Sequence, residues 1–65
     1  MEFVIIYHDE EKGWLQDGRD GIKTLSIGIT DKETITRGRI LARMIYLGWT
    51  FMHENAKGEI WFQKR

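Results

Sequence analysis

One stretch of this chain sets its folding problem. Between Thr30 and Gly48 the apolar residues Ile40, Leu41, Met44 and Ile45 recur at the spacing of a helix face. The remaining apolar runs are short, β-branched or aromatic, and read as strands. The pattern predicts an α+β fold: a small antiparallel β-sheet of four or five strands, in the order β-(β)-β-α-β-β, with one α-helix packed on one face. The helix is expected from about Asp31 to Leu47. Thr30-Asp31-Lys32-Glu33 has the spacing of a capping box, and Glu33 stands four residues ahead of Arg37, the favourable order for an ion pair. Gly38 inside this helix costs about 1 kcal/mol against Ala, so a loose first turn is expected. Gly48 is the stop signal. As the residue beyond the cap it would let Trp49 fold back on Met44.

Phe3-Val4-Ile5-Ile6-Tyr7-His8 is apolar on both faces, the mark of a central strand covered on each side. Trp14-Leu15-Gln16 reads as a short second strand between the turns at Asp9 to Gly13 and Asp17 to Gly21. Ile22 to Ile29 reads as a third, with Leu25, Ile27 and Ile29 on one face. Trp49 to Glu54 and Glu59 to Lys64 form a last hairpin around Asn55-Ala56-Lys57-Gly58. Pairing Phe51 with Phe62 and His53 with Ile60 gathers Trp49, Phe51, Ile60 and Phe62 on one face. Met52 and Trp61 then become cross-strand neighbours on a face that is otherwise polar.

Sixty-five residues are read as a single domain, 1–65, and a domain of that size buries only about 60% of the surface its unfolded chain exposes. With no cysteine, neither a disulfide nor a thiolate metal site can add stability. The load falls on apolar side chains, among them three Trp, three Phe and two Tyr, and self-association is a common remedy at this size. Net charge is zero, which argues against a general nucleic-acid coat protein and against mimicry of DNA. The charges are unevenly spread: residues 1–33 hold eight acids and four bases, residues 34–65 two acids and six bases. Such a bipolar surface could orient a charged partner. No apolar run approaches the ~18 residues of a membrane span, and Met1 to Tyr7 lacks the basic start and length of a signal peptide, so a cytoplasmic location is expected.

Catalytic groups are sparse. The one serine, Ser26, has Thr24 where a nucleophile elbow needs glycine. His8 and His53 both fall on strands, and two histidines do not close a zinc site without carboxylates. Asp9, Glu10, Glu11, Asp17 and Asp20 crowd two turns, yet Arg19 stands where a calcium loop needs its second ligand. The expectation is a protein that is not an enzyme, with no cofactor and no metal.

Two surface features point to partners. Trp61 with Met52 on a polar sheet face is costly to leave in water, and Trp is the residue most enriched at binding hot spots. Alternatively, a loop such as the one carrying Trp14 folds over and buries the pair. On the helix, Thr36, Arg39, Arg43 and Tyr46 share a stripe, and paired guanidinium groups beside a phenol form a phosphate- or base-binding footprint.

The opening Phe3 to Trp14 resembles the first hairpin of HicB-type antitoxins, although the Pro-Gly segment expected before their third strand is missing. The tail from Leu47-Gly48-Trp49 through Gly58-Glu59-Ile60 is similar to the helix-Gly-Trp-strand pattern of HicA-type toxins. There the functional histidine follows a Gly-Ser pair, and here Glu59 follows Gly58 directly. These resemblances imply at most a domain that binds a protein or RNA partner. The leading expectation is a small non-catalytic protein-binding domain, an inhibitor or regulator of phage or mobile-element type. A nucleic-acid-binding module using the Arg39/Arg43 helix face is the alternative, and a homodimer built on a sheet edge or the Trp61 face is the third.

Overall fold

A computed structural model describes residues 1–29 and 35–65. β1 (Glu2–Asp9), β2 (Gly13–Gly18), β3 (Gly21–Thr24), β4 (Thr50–Glu54) and β5 (Ile60–Lys64) form one antiparallel sheet in the order β3-β2-β1-β5-β4. The helix α1 (Arg37–Tyr46) lies against one side of it. The α+β reading and the element order hold, and the short second strand is present.

β1 takes the middle of the sheet, as its two-sided apolar pattern predicts. Val4 and Ile6 face the helix and are buried with Ile60 and Phe62 of β5, Ile40 and Met44 of α1, and Ile27. The predicted third strand is shorter than Ile22 to Ile29. It ends at Thr24, and the segment after it crosses the helix side, where Ile27 is buried and Leu25 and Ile29 pack against the same core. Gln16 secures this departure by accepting the Ser26 N–H at 3.1 Å. The apolar alternation of Leu25, Ile27 and Ile29 is thus a covering segment, not a ladder.

The helix end follows the sequence closely. Gly48 takes φ +96°, its N–H donates to the Ile45 carbonyl, and the Trp49 N–H donates to the Met44 carbonyl at 2.9 Å. These two bonds are the Schellman ending, and Trp49 packs against the core beneath it. The helix start differs. Thr36 is the cap, its hydroxyl accepting the Arg39 N–H, and α1 runs from Arg37 rather than from Asp31. The proposed capping box from Thr30 to Glu33, and with it the Glu33–Arg37 pair, lies outside the described residues. Arg37 instead pairs with Glu54 of β4, tying the helix start to the sheet edge.

The turn after β1 is organised by Asp9, whose Oδ1 accepts the Lys12 N–H at 2.9 Å and the Glu11 N–H at 2.8 Å. These two bonds, Lys12's first, favour the ionised carboxylate and hold the Asp9 pKa below its usual value. A depressed folded-state pKa adds stability at pH values above the unfolded pKa, and that stability disappears as pH falls through the folded value. Asp9→Asn should therefore lower Tm at neutral pH, and the gap to wild type should close on acidification below about pH 4. A gap that persists unchanged to acid in a calorimetric series would show that the charge is irrelevant to the turn.

Candidate functional site

Antiparallel partners share a face, so the register maps the side of the sheet turned away from α1. Ile22, Asp17, Ile5, Trp61 and His53 form one row across all five strands. Thr24, Leu15 and Tyr7 form a flanking row, and Phe3, Gln63 and Thr50 the other. Asp17 is the only formally charged residue in these rows, and none of them is Lys or Arg. Among the described residues, the covering elements are on the opposite side. Ile27, Ile35, Ile40, Leu41, Met44 and Trp49 pack into the core with Val4, Ile6, Ile60 and Phe62.

This corrects one expectation drawn from β1. Its two apolar faces are not both covered: among the described residues, only the Val4/Ile6 side carries a layer. On the open side Phe3 is 48% exposed and Ile22 62%, while Ile5, Tyr7 and Trp61 are half-buried. Leu15 is buried to 6% exposure yet stands apart from the helix-side core. The open face is therefore an apolar surface with its own partly sheltered centre.

A β-bulge between Phe51 and His53 reshapes the β4 edge of this face. Phe51 opposes Phe62 as predicted, and their rings meet edge-on at 6.2 Å. Beyond it the predicted register fails: His53 opposes Trp61, and Glu54 opposes Ile60. The extra residue is Met52, which is 40% exposed at the bulge and is not the cross-strand neighbour of Trp61. The bulge moves His53 to the open face and Glu54 to the helix side, where it meets Arg37. The His53 ring stacks on Trp61 at 5.3 Å and 18° between planes. The indole Nε1–H beneath is buried and has no hydrogen-bond partner among the described residues. Trp14 does not fold over this site. It packs toward the helix-side core, edge-on to His8 at 5.2 Å.

Three of the four residues of the expected helix stripe lie together. Arg39, Arg43 and Tyr46, with Ala42 and Ile29, line an open groove of about 330 Å³. The Arg43 guanidinium lies 5.7 Å from the centre of the Tyr46 ring, a cation–π contact that occupies one face of the phenol. Thr36 serves as the helix cap. The stripe and the Trp61 face are on opposite sides of the sheet, so they do not make one site.

Among the described residues no three His, Asp or Glu side chains gather as metal ligands, and no helix is long and apolar enough to cross a membrane. Comparison with protein families, with curated proteins and with solved structures finds no match. What sequence reasoning missed is the partnership of Ile5, Tyr7, Leu15 and His53 with Trp61. The two-sided pattern of β1 carried that signal, since a strand apolar on both faces needs a second layer.

Proposed function

We propose that this chain is a non-catalytic binding domain that acts by protein–protein contact through its open sheet face. One observation carries the reading: the central strand is apolar on both sides, and the helix layer covers only one. Contiguous apolar surface of this kind on a small domain marks an interaction site. Its composition favours protein over nucleic acid, because phosphate contacts require cations and the rows of this face hold none. Trp61 and Phe3 are the aromatic anchors, and Met52 borders the face at the bulge. A small inhibitor or regulator of phage or mobile-element type fits a domain that works by occupying a surface.

A second reading rests on the groove beside Arg39 and Arg43, which pairs guanidinium groups with a phenol as a nucleic-acid footprint would. Baits of wild type, Ile5→Glu and the double variant Arg39→Glu/Arg43→Glu in cell lysate, read by mass spectrometry, separate the two. A protein held by wild type and by the double arginine variant, but lost from Ile5→Glu, is the expected result. Retention of nucleic acid that disappears in the arginine variant and with rising salt would replace the first reading by the second.

A further inference from the structure

We infer that the groove beside α1 is a binding site for a nucleoside monophosphate, with the phosphate held by Arg39 and Arg43 and the base stacked at Tyr46. The groove is separate from the open sheet face, so the inference goes beyond the docking reading and stands or falls without it.

Helical spacing brings the side chains together. Arg39 and Arg43 are one turn apart on α1, Ala42 and Tyr46 form the adjoining row, and Ile29 closes the groove from the segment after β3. Among the described residues no carboxylate lines it. Like charges four residues apart on a helix repel, and an anion placed between the two arginines relieves that repulsion. Each guanidinium presents its N–H donors as a planar fork, the geometry that clamps a phosphate. Arg43 can serve the clamp while it contacts Tyr46, because a cation–π contact at 5.7 Å consumes none of its N–H donors.

The other half of the ligand follows from Tyr46. Its ring is 79% exposed, so beyond Arg43 it faces water. Ala42 and Ile29 add an apolar floor beside it. An exposed ring next to such a floor suits a flat base, and stacking of this kind accepts any of the four bases. A helix rises about 1.5 Å per residue, so the midpoint of the two arginines lies roughly 7 Å along the axis from Tyr46. One sugar bridges that gap, from a base to its own phosphate. Volume agrees: about 330 Å³ is at the small end of ligand sites, room for one nucleotide. A polynucleotide fits less well, because the groove offers two cations and the chain has no net positive charge to extend them.

Titration of the purified chain with adenosine monophosphate (AMP), followed by NMR of backbone amides and arginine side chains, tests the inference. Shifts should gather on Arg39, Arg43 and Tyr46, with a Kd of about 0.1–1 mM, the weak end of the affinity scale. Adenosine and inorganic phosphate, each half of the ligand, should bind at least ~10-fold more weakly, as should AMP to Arg43→Gln and to Tyr46→Ala. Neither side chain is among the buried ones of α1, and circular dichroism checks that both variants fold. Ile5→Glu should leave AMP affinity at the wild-type value, which keeps failure of this site distinct from failure of the open face. No response to AMP up to ~10 mM overturns the inference, as does phosphate alone matching AMP, or a response that survives Arg43→Gln. A single strand of about ten bases should gain at most ~10-fold over AMP, the statistical count of its nucleotides. A steeper gain that falls with salt would overturn the mononucleotide site in favour of a nucleic-acid footprint.

Discussion

Phe62→Ala is expected to leave most of the chain unfolded at room temperature. Phe62 is fully buried, meets Phe51 edge-on, and lies opposite Val4 in the centre of the sheet. Removing such a ring costs about 3–5 kcal/mol through lost transfer energy and an unfilled cavity. A chain of this length has only about 3–10 kcal/mol in total. Phe3→Ala is the matched control: same residue type, adjacent strand, opposite face. With half its surface already in water, it should cost less than about 1 kcal/mol in urea unfolding of the monomer. Equal losses at the two positions would mean that the open face is as deeply packed as the helix side.

Trp61→Ala should divide its effect between two measurements. The indole is half-buried and stacked on His53, so monomer stability should fall by about 1–2 kcal/mol. Part of that loss is offset because the variant also removes an N–H that is buried without a partner. Association through the open face should weaken by at least ~2 kcal/mol, near 30-fold, the threshold of a hot spot. Chemical denaturation of the variant gives the first number, and the amount of protein it retains from lysate as a bait, against wild type, gives the second. Were Trp61→Ala to unfold the chain as Phe62→Ala does, the indole would be a core side chain and the face would lose its anchor.

Local chemistry was legible in the residues. Gly48 followed by Trp49 and preceded by Met44 specifies a helix ending within six positions, and the ending formed as read. The central place of β1 was legible for the same reason, because its apolar run from Phe3 to Tyr7 falls on both faces, the mark of a central strand. The helix start was not. Thr30 and Thr36 are both competent caps by residue type, and the observed helix takes Thr36, with Arg37 tied to Glu54 of a strand seventeen residues away. The last hairpin divides in the same way. Phe51 opposite Phe62 follows from burial alone, whereas the bulge beyond it places Glu54 beside the helix start. No alternation pattern encodes a contact of that kind, and so neither the bulge at Met52 nor the stacking of His53 on Trp61 is legible in the sequence. As for the site, the sequence singled out Trp61, but the neighbours that make it a surface come from strands far apart in the chain.

The sheet order has a consequence for how the protein is made. β5, the fifth strand in chain order, is inserted between β1 and β4, and Glu2 ends up beside Lys64. The first three strands can zip together as local hairpins while the chain is still emerging. Until residues 60–64 arrive, however, Val4 and Ile6 have no Ile60 or Phe62 to meet. A chain that stops short of Ile60 thus has three strands that can pair locally but no strand to join them to β4. Closure of the sheet waits on β5. A product cut short before Ile60 should consequently be more open to proteases than one that includes β5, because the core that Ile60 and Phe62 complete is missing.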